Sequence, residues 1–215
     1  MTAKKGPNQD PPIVYILDDD SSVRAALEDL LASVGLTARA FGSTRAFLDA
    51  DRPNVPSCLI LDVRMPGQSG MEFHGQMVGR GIRIPVIFIT GHGDIAMSVR
   101  AMKAGAIEFL SKPFANQDLL DAIHRGIELD RNRLSDERHV QDVQRRYSQL
   151  NDGEQAVMAL VVQGSLNKQI AGELGVSEIT IKVRRRQAML KMGATSLPEL
   201  VRMSDMVDAA SRGGV

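Results

Sequence analysis

Residues 59–66 read LILDVRMP: an apolar run that ends at one carboxylate, Asp62, followed by Val63, a base, a Met and a Pro. A strand that is apolar at consecutive positions, without alternation, is one buried on both faces. Extended back one residue the stretch is CLILD (58–62), and it has four counterparts: IVYIL (13–17), TARAF (37–41), VIFIT (86–90) and EFLS (108–111). Helical spacing of apolar residues fills the intervals and predicts helices over 22–34, 44–49, 71–78 and 96–104 and from near Asn116. Strands alternating with helices predict an α/β fold, a five-stranded parallel sheet doubly wound by helices. In such sheets ligands bind beyond the carboxyl ends of the strands. Asp18, Asp19 and Asp20 end the first run, Asp62 the third, Thr90 the fourth, and Ser111 and Lys112 the fifth, so all converge on one edge.

Beyond Asn116 the pattern changes. Leu119, Ile123, Ile127, Leu134, Val143, Tyr147 and Leu150 fall near helical repeats, and residues 126–147 hold 5 acids and 5 bases, a pattern that suits an exposed linker helix or coiled-coil seam and equally a solvated, partly flexible linker. After residue 150 no strand pattern remains. Helices are expected over 152–163, 167–174, 178–192 and from Leu197 to about Val207, the first three closed by Gly164, Gly175 and Gly193. The expected organisation is an N-terminal arm (1–12), an α/β domain (13–125), a linker (126–147) and a small all-α domain (148–215).

Whole-chain totals exclude several classes. The chain is 43% hydrophobic and 24% charged, which suits a globular protein and not a disordered one. Lone Cys58 lies in an apolar run and points to a reducing, cytoplasmic setting. No apolar stretch approaches the roughly 20 residues of a membrane span, and MTAKKGPNQDPP has no apolar core of the secretory kind, so no membrane partner is expected. Acids and bases balance at 26 each, yet five of the eight bases after residue 148 fall between Lys182 and Lys191.

Carboxylates held together at a strand edge must share protons or recruit a cation. Hard oxygen donors suit Mg²⁺, and a Lys on a neighbouring strand end can hold a phosphoryl oxygen. A single Asp at a strand end is more often a helix cap; the co-occurrence of four motifs decides otherwise. DDD (18–20), LDVRMPG around Asp62, ITGHGD from Ile89 and FLSKPF from Phe109, in that order, resemble the receiver domain of two-component response regulators, with its flavodoxin-like fold. GHGD followed by AMSVRAMKAGA is similar to the FixJ-like branch. The resemblance implies Asp62 as phosphoacceptor from a histidine kinase. It implies Mg²⁺ on Asp18, Asp19, Asp62 and the backbone carbonyl of Arg64. Thr90 and Lys112 would contact the phosphoryl oxygens, Phe109 would be the switching aromatic, and Lys112–Pro113 a cis peptide. His92 is read as a loop residue and not as a phosphodonor.

The stretch SEITIKVRRRQAMLKM (177–192) opens with a capping Ser177 and places Lys182, Val183 and Arg186 on a face apart from Ile181, Ala188 and Met192. With the preceding helix it makes a helix-turn-helix. NKQIAGELGVSEITIKV and KMGATSLPELVRM resemble the NarL/LuxR-type effector domain. By that resemblance Lys182, Val183 and Arg186 contact bases, while Arg184, Arg185, Lys168 and Thr180 hold phosphates or position the helix. Two departures stand out: Asn151, Asp152, Gly153 and Glu154 replace the usual Thr-Pro-Arg-Glu, which would loosen the first helix, and GSLNK leaves Ser165 out of the capping position.

The expectation is a phosphorylation-dependent transcriptional regulator that accepts a phosphoryl group without being an enzyme, dimerises on activation, binds double-stranded DNA and has RNA polymerase as a further partner. An aspartyl phosphatase would need an acid two residues after the nucleophile, where Arg64 stands. The other rival is a receiver that works only through protein contacts, its C-terminal helices an adaptor; loss of nucleic-acid binding on replacing Lys182 and Arg186 with Ala would count against it.

Overall fold

The computed structural model describes residues 11–91 and 95–212. Residues 1–10 of the expected arm, and His92, lie outside them. The chain divides into two compact units between Leu134 and Ser135.

In the first unit β1 (Ile13–Leu17), β2 (Thr37–Phe41), β3 (Ser57–Asp62), β4 (Val86–Thr90) and β5 (Glu108–Ser111) form one parallel sheet in the order β2-β1-β3-β4-β5. Between them run α1 (Ser21–Ser33), α2 (Thr44–Asp49), α3 (Gly70–Gly79) and α4 (Ile95–Lys103). The order reverses between β1 and β3, which is where a doubly wound sheet opens its ligand crevice. The central strands β1, β3 and β4 are buried at every residue. The outer strands β2 and β5 are only partly buried, contrary to the reading of TARAF as a doubly covered strand, because an edge strand has a neighbour on one side only. Strand residues sort by parity into two cores: Tyr15, Leu17, Leu59 and Leu61 pack with Phe47, Phe73 and Phe88, while Val14, Ile16 and Ile60 pack with Leu31 and Ile123.

The helix α5 runs Asn116–Tyr147 without a break. Its opening turns lay Leu119, Ile123 and Ile127 on the sheet. Gly126 is needed there, since a Cβ would stand 2.9 Å from both Cys58 Cβ and Ile107 Cδ1. Buried Asp130 then accepts from the Ser57 amide at 2.8 Å and the Ser57 hydroxyl at 3.2 Å, and pairs with Arg133 at 2.7 Å. This clamp ties α5 to the first residue of β3.

The second unit is helical among its described residues: α6 (Asp152–Val162), α7 (Asn167–Leu174), α8 (Glu178–Met192) and α9 (Leu197–Arg212). Val157, Ile170, Ile181, Met192, Leu200 and Val143 from the end of α5 share its core. The unusual start of α6 does not loosen it. Asn151 accepts from the Glu154 amide at 2.9 Å while Glu154 accepts from the Asn151 amide at 2.9 Å, a complete capping box. Lys191 donates to Glu154 at 2.6 Å, and this hydrogen bond is the main cause holding Glu154 below the ordinary carboxylate range. At α7 the N-cap is Leu166, whose side chain cannot accept; Gln169 reaches back to the Leu166 amide at 2.8 Å, and Ser165 takes no part. Among the described residues no helix is long and apolar enough to cross a membrane.

Candidate functional site

Parallel register brings the strand ends together before any side chain acts. Leu17 is level with Leu61, Asp62 with Ile89, and Thr90 with Ser111. Each next residue is then drawn to its neighbour: Val63 donates to the Ile89 carbonyl at 3.0 Å and Lys112 to the Thr90 carbonyl at 2.7 Å. The Lys112–Pro113 peptide is cis. Asp18, Asp62, Thr90 and Lys112 consequently meet at the carboxyl edge.

Lys112 is the hub. Its Nζ donates to Asp18 Oδ2 at 2.8 Å and to Asp62 Oδ1 at 3.1 Å. Asp18 is 1% exposed and Asp62 5%, so two buried carboxylates share the one ammonium as their counter-charge. The other oxygens are engaged too: Asp18 Oδ1 accepts from the Asp20 amide at 2.9 Å and Asp62 Oδ2 from the Arg64 amide at 2.7 Å. Burial raises the Asp62 carboxyl above its ordinary value, the Lys112 hydrogen bond and charge oppose that, and the charge of Asp18 adds to the rise. For Lys112, burial alone would lower the ammonium; hydrogen bonds and charge from Asp18 and Asp62 outweigh it and raise it. Thr90 is wholly buried beside them, and Phe109 is half-buried against the core that holds Phe88 and Ala101.

The three leading acids separate into different jobs. Asp18 joins the Lys112 triangle. Asp20 is the N-cap of α1, accepting from the Ser22 amide at 2.8 Å. Asp19 is exposed and lines a cleft with Arg64, Met65, Ser69 and Met97. Among the described residues no three His, Cys, Asp or Glu side chains form a ready metal cage. Mg²⁺ does not require one, since it retains several waters and takes one or two carboxylates, and the donors at this edge are hard oxygens of the right kind.

Two residues that sequence reasoning passed over shape the site. Arg24 donates to the carbonyls of Asp18 at 2.7 Å and Asp19 at 2.9 Å, fixing the β1–α1 turn. Gly70 lies so close under the turn that follows β3 that a Cβ would collide with the Asp62 carbonyl oxygen, a backbone atom that cannot give way. Gly70 and Arg24 carry no motif of their own; only the folded backbone exposes their roles.

In the second unit Ser177 caps α8, accepting from the Thr180 amide at 3.2 Å, with the two hydroxyls 3.0 Å apart. Lys182, Val183 and Arg186 are exposed on the side away from buried Ile181, Ala188 and Met192, and Lys168 is exposed on α7. Arg184 and Arg185 are only half-exposed and turn inward. Arg185 donates to Asn167 at 3.3 Å, and Arg184 lies over the start of α6, where a Cβ on Gly153 would stand 2.7 Å from its guanidinium carbon. Gly153, one of the departures noted above, leaves the space that Arg184 occupies.

Comparison with known proteins gives a consistent result. Residues 14–124 match the response regulator receiver domain model, and residues 148–204 match that of bacterial regulatory proteins of the luxR family. Nodulation protein W of Bradyrhizobium diazoefficiens is 51% identical over 193 residues, 90% of this chain and 85% of that protein. Transcriptional regulatory protein FixJ of Azorhizobium caulinodans is 42% identical, over 92% of this chain and 93% of its own. Among solved structures, the response regulator StyR superposes with a TM-score of 0.82 at 46% identity, covering 91% of this chain and 99% of that one.

Proposed function

The chain belongs to the response regulators that join a receiver domain to a LuxR-type DNA-binding domain, and from that membership we propose that Asp62 is the phosphoacceptor controlling engagement of DNA by residues 148–215. The protein is a transcriptional regulator of that family. The observation that carries the assignment of Asp62 is the Lys112 ammonium bonded to both Asp62 and Asp18 at the carboxyl edge of the sheet.

A carboxylate oxygen of Asp62 attacks the phosphorus of a phosphohistidine on a sensor histidine kinase. A P–O bond forms, the P–N bond breaks, and its electron pair stays with the departing imidazole. Lys112 and Thr90 are placed to receive the phosphoryl oxygens, and Lys112 must let go of Asp62 Oδ1 in part to do so. Asp18, Asp19, Asp62 and the Arg64 carbonyl would hold Mg²⁺, which when bound supplies positive charge opposite the incoming phosphoryl group. The acyl phosphate carries about two negative charges where the carboxylate carried one, and it brings new acceptor oxygens. Movement of Thr90 and Lys112 toward it repacks Phe109 and biases the receiver toward a dimerising state. Two linked modules on adjacent half-sites bind through effective concentration, in the cytoplasm, where contact with RNA polymerase follows. Loss of the phosphoryl group to water resets the site.

The test is size-exclusion chromatography and DNA binding of the full chain with and without beryllium fluoride and Mg²⁺. The wild type should enlarge and bind more tightly, and Asp62→Ala should do neither. An equal response from Asp62→Ala would end the assignment.

A further inference from the structure

The outward side of α8 carries more apolar surface than the expected base contacts use. Ile179 is 74% exposed, Val183 55% and Leu190 62%. On a helix Ile179 and Val183 are one turn apart, with Lys182 beside them and Arg186 a turn further on, all opposite the buried Ile181, Ala188 and Met192. A singly exposed isoleucine is ordinary. Here branched aliphatic groups and cations share one stripe roughly 10 Å long.

That mixture decides what fits. A second copy of α8 laid on the stripe would press Lys182 and Arg186 against their like charges. The major groove meets both needs, with phosphates and base acceptors for the cations and the C5 methyl of thymine for the aliphatic branches. Resting on the DNA-binding reading, we propose that Ile179 is a base-reading residue, packing against a thymine methyl next to the base pair met by Val183. Ser177 supports the role: by bonding the Thr180 amide and hydroxyl it fixes the first turn, where Ile179 stands. A β-branched side chain there has few rotamers to lose on contact.

The probe is a duplex enriched from a random-sequence pool by the full-length wild type with beryllium fluoride and Mg²⁺. Its thymines are then replaced one at a time by deoxyuridine, which removes only the C5 methyl. At one thymine in each half-site the replacement should weaken wild-type binding about threefold to fivefold, the worth of one buried methyl group. Ile179→Ala should weaken binding to the thymine duplex by a similar factor and no longer distinguish deoxyuridine there. Ile179→Val should retain most of the distinction, and so should Leu190→Ala, three turns along. The proposal is overturned if Ile179→Ala shows the wild-type thymine-to-deoxyuridine ratio at every position, including the case where it alters only the oligomeric state, which would make the stripe a self-association surface. Failure of the underlying DNA-binding reading looks different: no duplex is enriched, or Lys182→Ala with Arg186→Ala binds the enriched duplex as tightly as wild type, and both readings then fall together.

Discussion

Asp62 pays for its position with a carboxyl raised by burial, which the Lys112 ammonium and the Arg64 amide only partly offset and which the Asp18 charge increases. A folded-state value above the unfolded one means that the folded receiver binds this proton more tightly. The group's contribution to stability is therefore complete below the ordinary value of 3.8 and declines as pH rises through the raised one. Asp62→Asn keeps an acceptor for the Arg64 amide and removes the buried charge, against the loss of one carboxylate partner of Lys112, so it should stabilise the receiver at pH 7. Urea unfolding at pH 7, 5.5 and 4 should show the gap between variant and wild type closing toward acid; a gap independent of pH would refute the account. Gly70→Ala acts by shape instead. Its methyl would strike the Asp62 carbonyl oxygen and lie 3.1 Å from the carbonyl carbon, so the turn after β3 must shift. A cost of about 1–3 kcal/mol is expected, with slowed phosphoryl uptake from a small-molecule donor such as acetyl phosphate.

Among the elements, α5 depends most on a contact that no local pattern announces. Asp130 is one of many acids in a charged helix, yet it is buried and answers Ser57, 73 positions earlier in the chain. Asp130→Ala would leave the Ser57 amide unsatisfied and remove the Asp130–Arg133 ion pair, a loss of about 1–3 kcal/mol. Asp130→Asn should recover a good part of it by keeping an acceptor. Hydrogen exchange over residues 127–134 would check both, and protection unchanged in Asp130→Ala would show that apolar packing alone holds the helix. The same contrast explains what the sequence made legible. Strand ends could be read because β1, β3 and β4 are buried on both faces, which leaves an unbroken apolar run that stops at or next to Asp18, Asp62 or Thr90. The partial burial of β2 was overlooked: Thr37 and Arg39 alternate with Ala38 and Ala40, and their exposure follows that alternation. Motif order located Asp18, Asp62, Thr90 and Lys112, but spacing could not assign Asp20 to a cap, nor predict that Gly153 makes room for Arg184. Those depend on which backbones pass close to one another.

Over the whole molecule the charges cancel, 26 against 26, so attraction to DNA rests on where the bases lie. Arg184 and Arg185 are turned toward α6 and α7, which leaves Lys182 and Arg186 on the outward side of α8 and Lys168 exposed on α7 as the cations best placed for nucleic acid. Each phosphate neutralised releases condensed counterions, so the slope of log affinity against log salt counts the phosphate contacts, at about 0.9 per contact. If Lys168 holds one phosphate per module, Lys168→Ala should reduce the slope by about 0.9 in a complex containing one module and by about 1.8 in a complex containing two. Phosphorylation that works by pairing chains must therefore double the effect of this one substitution. The measurement is a salt titration of wild type and Lys168→Ala on one duplex, each with and without beryllium fluoride and Mg²⁺. A reduction that is the same in both states would mean that activation tightens a single module without recruiting a second, and the dimer mechanism would have to be abandoned even if overall affinity had risen.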